Sequence, residues 1–378
     1  MLRRTVLLLS LLAPAPAFAQ DYETFAQDYE NGQDAYAQRD WEAAERLWTE
    51  ESAGGSAEAL LGLGNIYDFG LLGPSEPERA FGLYRRAAIA GLSEAAFNIA
   101  VMYDAGVGTA ADARAAAAWY SFAALGGNDR AAYNLGQLFA EGEGVARNDQ
   151  LAAHWFGVAA RGVPAADAAL AGLDPDAQAD TALSAPAPLG AELFSNPGAA
   201  QARFAWQSDA APPGARYRID LIRLGSEAPS LLASQSTPGS AVAIDLPRPA
   251  ADFAWRVSQV TPDGYAASGW QDQEGASLAS PPAGIVRFEY PADDRRAEGL
   301  ALRLGGAMTR FGTLVDFTGV ARDIESSGAR YGFAQDAAFA EDVAAFLPGA
   351  GPDGAALTPG PDMAPGEVRV ALSFGEEG

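Results

Sequence analysis

A 36-residue period constrains this chain more than any other feature of its sequence. The dipeptide Leu63-Gly64 recurs as Ile99-Ala100 and again as Leu135-Gly136, and the later aromatic and alanine positions of each unit keep the same register. A unit of this length cannot bury its own apolar face, so successive units must stack on one another. The period therefore predicts a repeat architecture for the first half of the chain.

Each unit has the pattern of two helices. In the second unit, Ala96, Ile99, Ala100 and Tyr103 fall at i, i+3, i+4 and i+7, the spacing of one face of an α-helix. The same spacing returns in the second half of the unit, after a connection, Gly106-Val107-Gly108, whose glycines tolerate positive φ angles. These patterns predict an α-solenoid of helical hairpins.

Two stretches, NIAVMYDAGVGTAADARAAAAWYSFAALGG and NLGQLFAEGEGVARNDQLAAHWFGVAARG, resemble the Sel-one-like repeat, a relative of the tetratricopeptide repeat. Upstream, residues 35–55 resemble a tetratricopeptide repeat with a shorter turn. Downstream, residues 166–173 begin another helix that is consistent with a cap. The resemblance covers about residues 28–173. It implies a scaffold that binds other proteins and has no catalytic role.

Polar residues on the first helix of each pair are the candidate partner contacts. In tetratricopeptide-like pairs this helix lines the concave groove, so the resemblance implies that its polar side chains face a partner. For Asn98 and Asn134, which match the repeat consensus, a structural hydrogen bond is the alternative. The candidates are Asn65, Asp68, Asn98, Asp104, Asn134, Gln137 and Glu141.

The composition excludes several classes of function. The formal net charge is -24, so a polyanion such as nucleic acid would be repelled. The chain has no Cys, which removes thiolate nucleophiles and zinc-thiolate sites, and a single His, His154, which removes sites with several histidines. Asp174, Asp176 and Asp180 lack the glycine and the terminal Glu of a calcium loop. We expect no catalytic residues, no cofactor and no metal.

The first residues have the pattern of an export signal. Arg3 and Arg4 precede a short apolar run, residues 6–13, and Ala17-Phe18-Ala19 fits a cleavage site with small residues. We expect cleavage after Ala19 and no transmembrane segment in the rest of the chain. The protein is therefore expected in the periplasm or outside the cell.

Short alternating segments separated by turn signals follow a linker rich in Ala, Asp and Pro. They predict an antiparallel β-sandwich. The segments FAWQ, ARYRIDL, AVAIDLP and FAWRVSQVTPDGYAASGW resemble a bacterial fibronectin type III domain, which implies that Trp206, Tyr217 and Trp255 are core residues. A carbohydrate-binding platform of aromatic rings is the alternative.

The last hundred residues contain a second duplication. The stretch VRFEYPADDRRAEGLALRL aligns with ARYGFAQDAAFAEDVAAFL at an offset of 43 residues, and each copy reads as a strand followed by a helix. The order predicts a split, ferredoxin-like α/β domain. The pattern resembles the C-terminal domain of LytR-type envelope proteins and, more loosely, the sporulation-related glycan-binding repeat. Arg287 and Arg330 are expected on the open sheet face, where they could bind a glycan or an acidic peptide. A solvated face with cross-strand ion pairs is the alternative.

These features predict a multidomain, non-catalytic periplasmic scaffold. It would bind an envelope protein or peptide through the solenoid and a second partner, peptidoglycan or another glycan through the C-terminal module. A periplasmic regulator of an envelope signalling system and a carboxylate-based glycan hydrolase are the alternatives. The expected parts are a signal peptide (1–19), the solenoid (20–173), a linker (174–189), the sandwich (190–275) and the ferredoxin-like domain (284–376).

Overall fold

The structure, a computed structural model, describes residues 30–173, 183–195, 200–209, 215–224, 230–246, 252–261, 264–278, 282, 284–309, 313–320, 328–331, 336–344, 357–359 and 367–371. These residues form two compact units. The first unit comprises 30–145, 155–173 and 194–195, and the second comprises the other described residues. The predicted signal peptide and residues 174–182 of the predicted linker lie outside the described residues, and the predicted domain boundaries stay predictions.

Helical pairs fill the repeat region, and the predicted solenoid of helical repeats is confirmed. In the three 36-residue units, the first helices are α3, α5 and α7, and the second helices are α4, α6 and α8. An additional pair precedes them, and one short helix follows. The helices are α1 (Gly32–Ala37), α2 (Trp41–Ala53), α3 (Ala57–Asp68), α4 (Pro77–Ile89), α5 (Ser93–Ala105), α6 (Ala113–Leu125), α7 (Asp129–Glu141), α8 (Asp149–Ala159) and α9 (Ala165–Ala171).

Polar side chains fix where several of these helices begin. Asp112 accepts hydrogen bonds from two backbone N–H groups in the first turn of α6, both at 3.0 Å, and Asn128 accepts one from Ala131 at 2.9 Å. Glu76 occupies the equivalent position before α4 without a side-chain cap bond. Pro77 follows it as the first helical residue, where the fixed φ of proline suits a helix.

Aromatic rings of the second helices pack against glycines of the first helices. Tyr84 lies so close to Gly64 that a Cβ atom on the glycine would overlap the ring. In the third unit, a Cβ atom on Gly136 would lie 2.7 Å from the ring of Phe156. Between the first two pairs, a Cβ atom on Gly62 of α3 would lie 2.6 Å from the ring of Trp48 on α2. A missing side chain therefore sets how closely the two helices of a pair approach.

The second unit contains two small sheets in the region predicted to be a sandwich. One has the order β1-β2-β5 and the other β4-β3-β6-β7, with β8 also paired to β6. The pairings of β2 with β5 and of β3 with β4 and β6 are antiparallel. The strands are β1 (Ala187–Ser195), β2 (Ala200–Gln207), β3 (Arg216–Arg223), β4 (Ser230–Thr237), β5 (Ala241–Leu246), β6 (Phe253–Thr261), β7 (Gly264–Ala267) and β8 (Gln271–Asp272).

Aromatic residues form the core of this region. Trp206, Tyr217 and Trp255 are buried, so their prediction as core residues is confirmed and their rings offer no exposed platform for a carbohydrate. The rings of Trp206 and Tyr217 have centroids 5.8 Å apart, and Phe204 lies 5.0 Å from Trp255. The ring of Phe204 also meets Phe253 edge-on, with centroids 5.7 Å apart, an arrangement that aromatic pairs prefer to a face-to-face sandwich.

The C-terminal module is a five-stranded sheet with the order β10-β9-β13-β11-β12. Val286 and Phe288 of β9 pack against Ala297 and Ala301 of α10 in its apolar core. The elements are β9 (Ile285–Pro291), α10 (Arg295–Thr309), β10 (Leu314–Val320), β11 (Gly328–Tyr331), α11 (Ala337–Ala344), β12 (Leu357–Pro359) and β13 (Glu367–Ala371). Strand, helix and strand therefore follow one another in both copies of the duplication.

The predicted ferredoxin-like order of these strands is wrong. In a split arrangement, another strand separates the two strands of each strand–helix–strand unit. Here β9 and β10 are direct, parallel neighbours, and so are β11 and β12. The crossovers through α10 and α11 are long enough to join adjacent parallel strands. Alternation along each strand predicts its faces but does not specify its neighbours, which is why the order was not predicted correctly.

We expect Gly64→Ala to destabilise the solenoid by about 1–3 kcal/mol, because the new methyl group overlaps the Tyr84 ring in a packed interior. Gly82→Ala in α4 is the matched control. A Cβ atom there meets nothing within 4 Å, so alanine should stabilise the helix by about 0.5–1 kcal/mol. Urea denaturation followed by circular dichroism measures both changes, and a Gly64→Ala protein as stable as the wild type would contradict this account of the packing.

Candidate functional site

A tyrosine hydroxyl connects three of the predicted contact residues. Tyr84 is buried on α4, and its hydroxyl lies 2.8 Å from Oδ1 of Asn65 and 3.3 Å from Oδ2 of Asp68, both on α3. Asn98, on α5 of the next unit, also hydrogen-bonds to Tyr84. Burial and then the neighbouring Asp68 carboxylate raise the pKa of Tyr84. The cluster is therefore a polar seam between two repeats.

The same contact returns in the second unit. The hydroxyl of Tyr120 lies 3.4 Å from Oδ2 of Asp104, and these residues occupy the positions of Tyr84 and Asp68 one period later. In the third unit the equivalent residues are Phe156 and Ala140, so the hydroxyl and the carboxylate are missing together. The two side chains therefore occur as a pair, which indicates that they bind each other.

The predicted contact residues differ in how accessible they are. Asn134 is buried, and Glu141 is exposed at the end of α7. Burial raises the pKa of Asp68, while the hydrogen bond from Tyr84 acts in the opposite direction. The half-buried members of the set are Asn65, Asp68, Asn98, Asp104 and Gln137.

A second seam joins the first turns of α5 and α7. Oε2 of Glu94 accepts a hydrogen bond from Nδ2 of Asn128 at 2.8 Å, and Oε1 lies 3.3 Å from Nη1 of Arg130. The Arg130 guanidinium also lies over the ring of Phe97, 4.2 Å from its centroid. Neither Tyr84 nor Glu94 was predicted from the sequence. The paired loss of Tyr and Asp in the third unit was the signal that could have revealed the first seam.

A comparable cluster lies near the start of the solenoid. The hydroxyl of Tyr67 hydrogen-bonds to Glu45, and the guanidinium of Arg79 lies 3.5 Å from the centroid of the same ring. Burial and the Glu45 contact raise the pKa of Tyr67 to about 12. Much of the polarity of the repeat region is therefore used in contacts between its own helices.

Arginine residues form a row across the C-terminal sheet. The register places Arg369 of β13 opposite Arg287 of β9 on one side and opposite Arg330 of β11 on the other. Nε of Arg369 lies 2.8 Å from Oε1 of Glu367, and Nε of Arg287 lies 3.7 Å from the same oxygen. Arg287 thus takes part in a cross-strand ion pair, as expected for the alternative in which this face carries ion pairs and binds no ligand. Arg330 is exposed.

The sheet face that carries these arginines is partly covered. Ile285 lies on the same face of β9 as Arg287, because side chains two residues apart point to one side of a strand. It packs in an apolar cluster with Trp270 and Ile222 of the sandwich region. The predicted open face is therefore restricted at this end of β9, and the accessible candidate is Arg330.

His154, on α8, belongs to the second compact unit of the fold and lies against the turn between β4 and β5. A Cβ atom on Gly239 would lie 2.5 Å from Nε2 of His154, so the absence of a side chain there makes room for the ring. Burial lowers the pKa of His154. Among the residues that the structure describes, no group of three or more His, Asp or Glu side chains could hold a metal ion. None of the described helices combines the length and the hydropathy needed to cross a membrane.

A family model described as "Sel1 repeat" matches residues 57–92, 93–128 and 129–162. The matched segments coincide with the three units whose packing is described above. Residues 57–162 of the helical region are Sel1 repeats. Proteins with Sel1 repeats are in general non-catalytic interaction modules.

Several solved structures resemble part of the chain. A Sel1 repeat protein from Oxalobacter formigenes is 29% identical, with 38% of this chain and 63% of that chain covered and a TM-score of 0.37. A protective antigen of uropathogenic Escherichia coli with an SLR fold is 24% identical, with coverages of 39% and 36% and a TM-score of 0.36. Cysteine rich protein B of Helicobacter pylori is 21% identical, with coverages of 32% and 92% and a TM-score of 0.27.

The match spans less than two thirds of the Oxalobacter and Escherichia proteins. No curated protein sequence matches the chain.

Removing the Tyr84 hydroxyl should weaken the first seam. We expect Tyr84→Phe to destabilise the protein by about 1 kcal/mol, because the half-buried Asn65 and Asp68 lose the hydroxyl donor that they share. Combining it with Asp68→Ala recreates the Phe–Ala pair of the third unit, so the double variant should lose less than the sum of the single changes, by about 0.5–1.5 kcal/mol. Urea denaturation of the four proteins gives this coupling free energy.

Tyr133→Phe is the control for this cycle. It removes a hydroxyl that makes no hydrogen bond among the described residues and should leave stability within about 0.5 kcal/mol of the wild type. A coupling free energy of zero between Tyr84 and Asp68 would show that the hydroxyl and the carboxylate do not stabilise the repeat together.

The single histidine provides a direct measure of burial. The proton NMR signals of His154 should titrate with a pKa below that of the same residue in the urea-unfolded chain, because burial disfavours the imidazolium ion. The native-state pKa is the lower one, so this contribution to stability is complete above the unfolded pKa and is lost as the pH falls through the native pKa. His154→Phe should remove that pH dependence. Equal titration midpoints for His154 in the folded and the unfolded chain would show that burial does not lower its pKa.

Proposed function

We propose that the protein is a non-catalytic scaffold that binds a protein partner through its Sel1 solenoid. The observation that carries this proposal is the set of three consecutive Sel1 repeats at residues 57–162. Sel1 repeats typically mediate protein–protein interactions. Glu141, exposed on α7, and the half-buried Asn98 and Gln137 are the first-helix side chains proposed to contact the partner. Asn65, Asp68 and Asp104 support this surface through the tyrosine seams.

We place this scaffold in the bacterial periplasm or outside the cell. The support is the pattern of Arg3, Arg4, the apolar run and the Ala17-Phe18-Ala19 cleavage site at the start of the sequence. The absence of Cys removes any need for an oxidative folding step in that compartment. Cleavage after Ala19 would leave Gln20 as the first residue of the exported chain.

We assign the sandwich region to the fibronectin type III type, with a spacer role. The support is its strand order, in which the first, second and fifth strands form one sheet and the fourth strand joins the third in the other sheet. An immunoglobulin constant domain instead places its fourth strand beside the fifth. The C-terminal module, with its two strand–helix–strand copies, would dock to a second partner or to cell-wall glycan, and Arg330 is the exposed cation proposed for that contact.

Site-specific photo-crosslinking in intact cells tests the scaffold function. A photoreactive amino acid at Gln137 lies on a first helix, and the matched control at Arg85 lies on the exposed side of a second helix. We expect a protein adduct from Gln137 in the periplasmic fraction and none from Arg85. Mass spectrometry of the adduct identifies the partner.

Two results would overturn this proposal. An exported chain that forms no adduct from Gln137, Asn98 or Glu141 would show that the first helices bind no partner. Hydrolysis of purified peptidoglycan by the chain, abolished by one Asp or Glu substitution, would establish an enzyme of the carboxylate type instead.

A further inference from the structure

We propose that the loop edge of the solenoid, formed by residues 69–76, 105–112 and 141–145 between the first and second helices of the repeats, binds a cationic, apolar segment of a protein partner. The inference rests on the proposed scaffold function and specifies the chemistry of the partner. The loop edge is distinct from the first-helix positions discussed above, except that Glu141 belongs to both.

The three connections lie side by side. Gly108, in the second connection, has a φ of 70° and packs against the backbone of Pro77, where the first connection ends. Gly144, in the third connection, has a φ of 71° and packs in the same way against Ala113 at the start of α6. Side chains at these glycines would meet backbone atoms of the preceding unit, so the contacts need glycine. The loop edge is therefore continuous across the three repeats.

Large apolar side chains are exposed on the first two connections. Phe69 is 65% exposed and Val107 is 44% exposed. Both lie in ordered backbone. In the first connection, the N–H of Leu71 donates to the carbonyl of Ile66 at 3.0 Å, and the N–H of Glu76 donates to the carbonyl of Tyr67 at 2.8 Å. Each of these two connections thus holds one apolar side chain in solvent on a hydrogen-bonded loop, since the N–H of Val107 also donates to the carbonyl of Met102 at 3.0 Å.

The third connection has a different character. Two periods after Phe69 the chain has Glu141, and one period after Val107 it has Glu143. Both glutamates are exposed. Over the equivalent twelve-residue segments 68–79, 104–115 and 140–151, which add the flanking helix ends, the chain has eight Asp or Glu and three Arg. One of these arginines, Arg79, lies over the Tyr67 ring and 3.4 Å from Glu76. The loop edge therefore combines apolar side chains in two repeats with negative charge in the third.

This combination selects one class of occupant. A cationic segment gains attraction from the carboxylates, and apolar side chains within it bury Phe69 and Val107. A polyanion such as nucleic acid or an acidic glycan would be repelled. A second copy of the loop edge would bring the same negative charges together in an isologous contact. The fitting partner is a protein segment with apolar residues against Phe69 and Val107 and Lys or Arg over Glu141 and Glu143.

Selection from a phage-displayed library of random 12-residue peptides, with the full chain as the target, tests this proposal. We expect enriched peptides that contain Lys or Arg together with Leu, Ile, Phe or Trp. Synthetic versions, measured by fluorescence anisotropy, should bind Phe69→Ser/Val107→Thr about tenfold more weakly than the wild type, as expected when central apolar contacts are lost. Glu141→Gln/Glu143→Gln should weaken binding severalfold at low salt and reduce its salt dependence.

Leu302→Ser is the matched control for the apolar change, since Leu302 is 54% exposed on α10 of the other unit. Glu50→Gln, on α2, is the control for the loss of charge. Both controls should bind the peptides as the wild type does. Enrichment of acidic or uncharged peptides, failure to enrich any sequence, or equal binding to wild type and Phe69→Ser/Val107→Thr would each overturn the loop-edge proposal. Photo-crosslinking at Gln137 reports separately on the scaffold function, so the two proposals can fail independently.

Discussion

In the first and third repeats, the close approach of an aromatic ring to a glycine on the neighbouring helix sets how the two helices of a pair pack. Gly64 and Gly136 have no side chain, so Tyr84 and Phe156 can lie directly on the backbone of the first helix. Tyr84 also reaches the helix that follows, where it hydrogen-bonds to Asn98. In the first repeat, packing within the pair and stacking on the next pair therefore involve the same tyrosine.

Several polar residues of the solenoid stabilise the packing of its helices through hydrogen bonds between them. The Asp68–Tyr84 and Asp104–Tyr120 contacts and the Glu94 seam hold carboxylates in hydrogen bonds between the helices. A partly buried carboxylate needs a donor, and the tyrosine hydroxyl supplies one from the adjacent helix. The third repeat dispenses with both side chains, so a repeat can keep its fold with Phe156 and Ala140 alone.

The sequence predicted the helices well because the signal for them is local and repeated three times. Helical spacing and the connecting glycines were enough to place the pairs. Contacts across a loop were harder to predict. Asp68 and Tyr84 lie 16 residues apart, and no helical or strand spacing joins residues at that distance.

The C-terminal sheet shows the same limit. The alternation in β9 predicted which face of the strand is buried, but the neighbours of β9, which are β10 and β13, depend on how the crossovers pack. Arg287 was placed on the correct face, but its ion pair with Glu367 and the cluster around Ile285 involve residues far along the chain.

The change from Phe69 and Val107 to Glu141 and Glu143 along the loop edge gives the solenoid a direction. A chain segment lying across the three connections would meet apolar side chains at one end and carboxylates at the other. Consider two segments with the same amino-acid composition but the reverse sequence, bound in the same N-to-C direction. Only one of them would place its apolar residues against Phe69 and Val107 and its cationic residues against Glu141 and Glu143. Repeats that differ slightly from one another can thus distinguish the polarity of a bound chain, which a set of identical repeats could not do through side chains alone.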